Sequence, residues 1–236
     1  MAATASGPAS VTMAMLLADA RLPAGGHAHS AGLEPALLCG ALPIAAVPEY
    51  LQARADSTVQ VEAGTAVVAR HVAGELTGDL GALGRVERAW AARTPSDAMR
   101  EASRLLARGY LRLATLLWPE PVFGPILAAL DQRNVPPPRA VVLGVIAAAS
   151  GMTADDLVRH IIYDETASAA AALLKLEPLD PARATALVLQ VCTRAEPSII
   201  ALAALTDPDD IPAAGAPEAE NWAQAHALLT RRLFRA

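Results

Sequence analysis

Residues 139–174 read RAVVLGVIAAASGMTADDLVRHIIYDETASAAAALL and predict two consecutive helices. The first part, Arg139–Ser150, is apolar on almost every side. Its periodicity would also fit a buried strand, but its length and its three consecutive alanines favour a buried helix. Thr153 then begins a capping box, because an acid, Asp156, follows it by three residues. We therefore expect a second helix from this box to about Leu174.

Similar start and stop signals predict helices on both sides of this pair. Thr94–Asp97 combines a cap, a proline at the first helical position and an acid three residues after the cap. The helix that it opens should end at Trp118, and a helix opened by Asp180 should end before Pro197. Together with weaker signals, the sequence predicts an all-α protein of about eight to ten helices. The weaker signals lie at 11–18 (capped by Ser10), 30–39 (capped by Ser30), 48–71 and 218–233.

The composition supports this prediction and argues against several functions. The chain has 236 residues, of which 53% are hydrophobic and only 3% aromatic, and 55 are alanine, the best helix former. The net charge is −5 without a basic stripe, which argues against nucleic-acid binding. Lys175 is the single lysine and lies outside any P-loop motif, so a P-loop is excluded. Cys39 and Cys192 lie far apart and form no Cys-x-x-Cys motif of a zinc or redox site.

No stretch of the sequence predicts secretion or membrane insertion. Residues 1–18 lack the positive charge that begins a signal peptide. The uncharged run 140–154 is shorter than the roughly 20 residues that a membrane span needs. We therefore expect a cytoplasmic protein that does not enter a membrane.

The C-terminal part of the chain differs in composition from the rest. Proline, glycine, alanine and acids dominate residues 207–217, which predicts a flexible linker. We expect a single domain with a helical core at 10–206, this linker, and a C-terminal helix and tail at 218–236. The tail ends the chain after this linker, so we expect it to make few core contacts. An apolar residue among arginines is typical of interface hot spots, so we also expect the tail to dock to a partner. The residues of this hypothesis are Arg231, Arg232, Leu233, Phe234 and Arg235.

Ser30 lies in the sequence AHSAG (28–32), which is similar to the nucleophile elbow of α/β-hydrolases with alanine at the first glycine. Asp209 or Asp210 and then His226 follow in the chain order of that catalytic triad. The elbow requires a strand that leads into it, whereas here a Pro-Ala-Gly-Gly loop follows a predicted helix. A helix cap at Ser30 is therefore favoured, and a serine hydrolase stays the less favoured alternative.

Two histidines, His27 and His29, could place two imidazoles on one metal ion. A closed metal site needs further ligands, and no third histidine and no cysteine lies near them in the sequence. The sequence therefore predicts no metal site.

Motifs at both ends of the chain, with helices between them, occur in the order of one known family. Residues 16–34 read LLADARLPAGGHAHSAGLE, and the chain closes with RLFR (232–235) after His226. With the segments 100–114 and 143–174, these motifs resemble the urease accessory protein UreF family, whose opening motif runs Leu-Pro-x-Gly-Gly-(Phe)-x-(Tyr)-Ser-x-Gly-Leu-Glu. The residues that match this opening motif are Pro23, Gly25, Gly26, Ser30, Gly32, Leu33 and Glu34.

The chain departs from the family motifs at a few positions. His27 and His29 stand where the opening motif has aromatic residues, so metal binding there would not be the family's shared mechanism. Ala227 stands in place of the glutamate that follows the histidine of the closing motif, and Ala236 in place of the final serine.

The resemblance implies an all-α, dimer-forming maturation chaperone that is not an enzyme and has no cofactor of its own. Members of the family bridge UreD (also called UreH) and the GTPase UreG on the urease apoprotein. GTP hydrolysis by UreG is coupled to nickel delivery into the urease active site, so partners handle both nickel and GTP. A helical adaptor unrelated to urease stays open as an alternative.

Overall fold

The computed structural model describes residues 8–19, 21–23, 29–75, 80–118, 123–229 and 233–234. All regular structure in these ranges is helical, which confirms the all-α prediction. Ten of the helices within these ranges have eight or more residues. The helices are α1 (Pro8–Leu17), α2 (Leu33–Leu38), α3 (Val47–Ala55), α4 (Thr58–Glu75), α5 (Gly81–Arg93), α6 (Asp97–Leu117), α7 (Gly124–Asp131), α8 (Arg139–Ser150), α9 (Ala154–Leu176), α10 (Pro181–Ala195), α11 (Ile199–Ala203) and α12 (Pro217–Ala227).

Helix α8 lies at the centre of the fold, as its apolar sequence predicts. Every residue of α8 from its start to Ala147 is buried, and α4 is its main neighbour. The two helices approach closely at Gly144, where an added Cβ would lie 2.7 Å from the Cβ of Ala69 and 2.8 Å from the backbone nitrogen of Arg70. The small residues of α4 and α8 thus allow a packing distance that a larger side chain at position 144 would prevent.

A second, smaller apolar cluster lies beside this core, and it positions the site described below. It forms where α2, α3, α9, α10 and α12 meet. Each helix contributes buried side chains to it, for example Leu33, Tyr50, Leu173, Val191 and Ala219.

Three predicted helix starts are confirmed, one of them with a shift. Thr153 and Asp180 cap α9 and α10, since their side chains accept backbone N–H hydrogen bonds of 3.2 and 2.9 Å from the first turn. The cap of α6 is Ser96 rather than Thr94, and its Oγ accepts a hydrogen bond from the N–H of Met99 at 3.3 Å.

The two serines predicted as caps near the N-terminus have other roles. Ser10 lies inside α1, where its hydroxyl donates to Asp156 at 2.7 Å and accepts from the N–H of Thr153 at 3.1 Å. It therefore supports the start of α9 instead of α1. Ser30 precedes α2 by three residues, and the N-cap position of α2 is Gly32 with a φ of 82°. Both predictions for these serines are wrong.

The helix predicted over 48–71 is two helices, α3 and α4. The break falls at Asp56 and Ser57, where the Ser57 hydroxyl donates to the carbonyl oxygen of Ala53 at 2.5 Å. Such a bond to the preceding turn competes with continuation of the helix. The break allows Arg54 of α3 and Glu62 of α4 to line the same cleft.

Residues 207–217, predicted as a flexible linker, are packed onto α4 and α5. The guanidinium of Arg93 donates to the carbonyl oxygens of Ile211 at 2.7 Å and Asp209 at 2.9 Å. Ile211 is buried, and a Cβ added at Gly64 of α4 would lie 2.9 Å from Pro212. The structure thus corrects the linker prediction, because composition shows that a segment lacks a helix but not whether other residues bind its carbonyl groups.

Within the part of the chain that the structure describes, one helical stretch, Pro181–Ala203, is long and apolar enough by length and composition to cross a membrane. It has 23 residues, comprises α10, a 3-10 turn and α11, and has a mean hydropathy of 1.3. It packs against α3, α4 and α9, and a core helix of a soluble protein meets the same criterion. The stretch is therefore weak evidence for a membrane span.

Candidate functional site

Glu34 of α2 joins the opening and closing motifs of the chain. Its buried carboxylate lies 2.8 Å from Nε2 of His226. The same carboxylate accepts hydrogen bonds from the backbone N–H groups of Leu233 at 2.5 Å and Phe234 at 3.2 Å. We refer to Glu34, His226, Leu233 and Phe234 as the Glu34 clasp. Two motifs about 200 residues apart in sequence thus meet at one side chain.

The backbone before α2 directs Glu34 toward this position. Ala31 and Gly32 both have positive φ angles, 54° and 82°. A Cβ added at Gly32 would lie 2.7 Å from the hydroxyl oxygen of Tyr50 and 3.0 Å from the Cβ of Trp222. The Tyr50 hydroxyl also donates to the carbonyl oxygen of Ala31 at 2.8 Å. Glycine at position 32 therefore permits the close approach of α2, α3 and α12 that brings Glu34 to the chain end.

The Phe234 side chain is buried against its own chain, with 3% of its surface exposed. The ammonium group of Lys175 lies 5.1 Å from the centre of its ring, a cation–π distance. The side chain of the preceding residue, Leu233, is 72% exposed. The structure thus corrects the expectations of few core contacts and of a free aromatic anchor at Phe234. Of the predicted docking residues, Arg231, Arg232 and Arg235 lie outside the described residues.

The C-terminal helix is shorter than predicted. It ends at Ala227, whereas the sequence predicts an end at Leu233. A helix that continued from 226 to 233 would separate these residues by about 10 Å along its axis, at 1.5 Å per residue. His226 and the N–H of Leu233 could not then both reach Glu34. The contacts of the clasp explain why α12 ends where it does.

A second group of charged side chains joins α3, α8 and α9. Arg139, at the start of α8, pairs with Asp164 at 2.8 Å and with Glu165 at 2.5 Å. Arg54 of α3 adds a second ion pair to Glu165 at 3.1 Å. With Glu62 of α4, whose carboxylate accepts a hydrogen bond from an indole N–H at 2.6 Å, these residues form what we call the Arg139 cluster.

The surroundings shift the pKa values of the acids in the Arg139 cluster in different directions. Burial alone would raise the pKa of Glu165, but the charges of Arg139 and Arg54 outweigh burial and leave this pKa below its ordinary value. Burial raises the pKa of Glu62 and of Asp164, and the charge of Arg139 offsets this effect only in part. Of these three acids, Glu165 is therefore the one whose ionised form the surroundings favour most.

A cleft of about 110 Å³ lies beside the Arg139 cluster. Residues of the opening motif and side chains from α3, α4, α6, α8, α9 and α12 line it, among them Arg54, Glu62, Arg139 and Glu165. His29 also lines the cleft, whereas His27 and the motif residues Gly25 and Gly26 lie outside the described residues. Within the described part of the chain, no group of three His, Cys, Asp or Glu residues could hold a metal ion.

The residues of the hydrolase hypothesis do not form a triad in the structure. The Ser30 hydroxyl is buried and has no hydrogen-bond partner among the described residues. His226, which would have to activate it, is bonded to Glu34 instead. Asp209 and Asp210 lie in a 3-10 turn that packs on α5. The described residues contain no strand that could lead into a nucleophile elbow, so the geometry does not favour this alternative.

Sequence reasoning missed the Arg139 cluster. The sequence predicts an apolar helix from Arg139, and no sequence pattern distinguishes Arg54, Asp164 or Glu165 from the other charged residues. One available signal was an arginine at the first position of an otherwise uncharged buried helix, since a buried charge requires a partner. The identity of that partner depends on helix packing and was not readable from the sequence.

Comparison with known proteins agrees with the motifs that meet at Glu34. The model of the UreF family matches residues 44–192. The urease accessory protein UreF of Mycobacterium marinum is 36% identical over 230 residues, which cover 94% of this chain and 98% of that protein. The proteins of the same name from Mycobacterium tuberculosis and Mycolicibacterium vanbaalenii are 33% and 36% identical, over 84% of this chain and 90% of each relative. The chain therefore belongs to the UreF family of urease accessory proteins.

Proposed function

We propose that this chain is a non-catalytic scaffold of urease maturation, which bridges a UreD-type (UreH-type) accessory protein and the GTPase UreG. In this role it gates the GTP-dependent insertion of nickel into the urease apoprotein. The observation that carries the proposal is similarity to a urease accessory protein over nearly the whole chain. The same observation argues against the alternative of a helical adaptor unrelated to urease.

A helical scaffold can gate a GTPase without chemistry of its own. If it contacts one nucleotide state of UreG more tightly than another, binding shifts the population of UreG toward that state. In this proposal nickel and GTP are handled by the partners, and the chain carries no cofactor. It acts in the cytoplasm without a nucleic-acid or membrane partner.

The tail Arg231, Arg232, Leu233, Phe234 and Arg235 is the proposed docking segment for the UreD-type partner. The buried ring of Phe234 supports a role as an internal anchor of this segment. The exposed side chain of Leu233 supports a direct contact with the partner. In this proposal, Phe234 holds the tail against its own chain and Leu233 contacts the partner.

Homodimer formation is a further part of the proposal. Leu189 of α10 and Ile200 of α11 are 68% and 80% exposed, and both lie on the apolar stretch Pro181–Ala203. Exposed apolar helix faces of this kind are typical of protein–protein interfaces. The described structure contains a single chain, so light scattering of the purified protein is the direct measurement of its oligomeric state.

Reconstitution of urease activation tests the proposed function. Urease apoprotein, the UreD-type protein, UreG, GTP and nickel would be combined with and without this chain, and urease activity measured. We expect activation to depend on the chain, and we expect it to co-purify with both partners. Equal activation in its absence would contradict the proposal. Hydrolysis of a simple ester by the chain, lost in Ser30→Ala, would contradict the non-catalytic assignment.

A further inference from the structure

Two strongly exposed leucines flank the Glu34 clasp. Leu228, one residue beyond the end of α12, is 82% exposed, and Leu233 is 72% exposed. A single exposed leucine is common on protein surfaces and needs no explanation. These two leucines differ from that case because each is close to a group that bonds to the carboxylate of Glu34. Leu228 follows His226 by two residues, and Leu233 itself supplies a bonded backbone N–H.

The clasp fixes the main chain close to each of the two leucines. On one side, the His226 imidazole is bonded to Glu34. On the other side, the N–H groups of Leu233 and Phe234 bond to the two carboxylate oxygens, and the Phe234 ring is buried. The backbone is thus anchored inside the protein while the two leucine side chains remain in solvent. Ordering a docking segment before binding lowers the entropy that binding must overcome.

We propose that Glu34 is a positioning residue for partner docking: the Glu34 clasp holds the chain end so that Leu228 and Leu233 form a preordered apolar docking surface. This inference rests on the proposed scaffold function and adds to it which residues touch the partner and which residue holds them. The partner that fits this surface is a protein with an apolar pocket surrounded by acidic residues. The sequence supports the acidic rim, because Arg231, Arg232 and Arg235 adjoin Leu233 and would complement negative charge.

The carboxylate of Glu34 is required for this arrangement because it accepts hydrogen bonds from several donors at once. In Glu34→Gln, the amide has one acceptor oxygen, and its NH₂ group would face a backbone N–H. One of the two main-chain bonds to Leu233 and Phe234 would be lost, while the size of the side chain stays the same. The variant therefore loosens the chain end without opening a cavity.

Amide hydrogen exchange of the full chain tests the clasp without any partner. We expect the amides of Leu233 and Phe234 to exchange at least tenfold faster in Glu34→Gln than in the unmodified chain, while the amides of α8 are unchanged. Equal exchange of these two amides in both proteins would overturn the proposal. This measurement does not depend on urease and therefore separates the clasp from the proposed function.

Affinity for the immobilised UreD-type partner tests the docking surface. The double variant Leu228→Ala/Leu233→Ala should bind at least tenfold more weakly with an unchanged melting temperature. Leu116→Ala on α6, which replaces a leucine of similar exposure (76%), is the matched control and should bind normally. Glu34→Gln should also bind at least tenfold more weakly.

Several outcomes would overturn the docking proposal. Unchanged or tighter binding of Glu34→Gln would mean that the clasp is irrelevant or must open before docking. Unchanged binding of the leucine double variant would remove the docking surface even if Glu34→Gln fails to fold. Binding of the chain to anionic lipid vesicles that is lost in the leucine variant would assign the surface to a membrane instead. If the unmodified chain binds neither urease accessory partner, the proposed function fails, and the exchange result still decides the clasp.

Discussion

Glu165 is a partly buried carboxylate and Glu34 a fully buried one, and different kinds of group offset their negative charge. Glu165 lies between two guanidinium groups, Arg139 on α8 and Arg54 on α3. Glu34 is compensated by an imidazole and by two peptide N–H groups of the chain end. The first carboxylate connects helices of the core, whereas the second connects the core to a terminal segment.

This difference teaches what each region contributes to the protein. Removal of one charge from the Arg139 cluster leaves other charges uncompensated among packed helices, where only about a fifth of the Asp164 and Glu165 side chains is exposed. Removal of a partner from Glu34 releases the chain end, after which water can reach the carboxylate. We therefore expect changes in the Arg139 cluster to affect global stability, and changes in the Glu34 clasp to affect mainly the order of the chain end.

The largest expected effect is that of Arg139→Met. The substitution leaves Asp164 and Glu165 without their main countercharge, so we expect the free energy of unfolding to fall by about 3–5 kcal/mol. Urea unfolding followed by circular dichroism measures it. The triple variant that also carries Asp164→Asn and Glu165→Gln should recover part of the loss. A loss below 1 kcal/mol for the single variant would mean that the cluster is not buried in solution.

The second prediction concerns His160, a buried histidine of α9 whose two ring nitrogens have no hydrogen-bond partner among the described residues. Burial and then the charge of Arg139 lower its pKa from 6.5 to about 3. The folded state therefore binds fewer protons than the unfolded state below pH 6.5. The contribution of neutral His160 to the free energy of unfolding is therefore fully present above pH 6.5. It falls as the pH drops from 6.5 toward the pKa of His160 in the folded state.

Acidification from pH 7 to pH 5 should thus cost the unmodified chain about 2 kcal/mol through His160, since one pKa unit corresponds to about 1.4 kcal/mol. His160→Leu cannot take up a proton and should lack this part of the pH dependence. Urea unfolding of both proteins at the two pH values gives the difference. The same pH dependence in both would show that His160 is accessible to protons in the folded state.

The third prediction tests the clasp by removal of residues 231–236. The deletion leaves Glu34 with His226 alone and exposes the surface that Phe234 covers. We expect a loss of about 1–2 kcal/mol, in the lower part of the range for an unsatisfied buried acceptor because water can enter. Helical content should not change, while binding to the UreD-type partner should be lost. A large loss of helical signal would show that the tail belongs to the cooperative core.

The smallest effect is expected for Arg159→Ala, which is the exposed counterpart of Arg139→Met. Arg159 of α9 pairs with Glu196 at 2.5 Å, but the two side chains are 48% and 54% exposed. Exposed ion pairs contribute about 0–1 kcal/mol, so the free energy of unfolding should change by less than about 1 kcal/mol. A loss as large as that of Arg139→Met would mean that burial does not explain the difference between the two arginines.

The sequence by itself determined several of the helices of this protein. Thr153 and Asp180 begin helices because each side chain bonds to an N–H within the next turn. Helix α8 is buried up to Ala147 because it has no polar face. These are local properties, and a cap or an apolar run has the same effect wherever the helix packs. The terminal motifs also indicated the family before any contact was known.

Only the tertiary structure decided which residues meet. Ser10 has the sequence signature of a cap for its own helix, yet it bonds to Asp156, and Phe234 resembles a free anchor, yet it is buried. Glu34 and His226 lie 192 residues apart, and nothing local to either predicts their contact. Such contacts depend on how α2, α9 and α12 pack against one another. That packing results from the shape and burial of many side chains together, which no short stretch of sequence specifies.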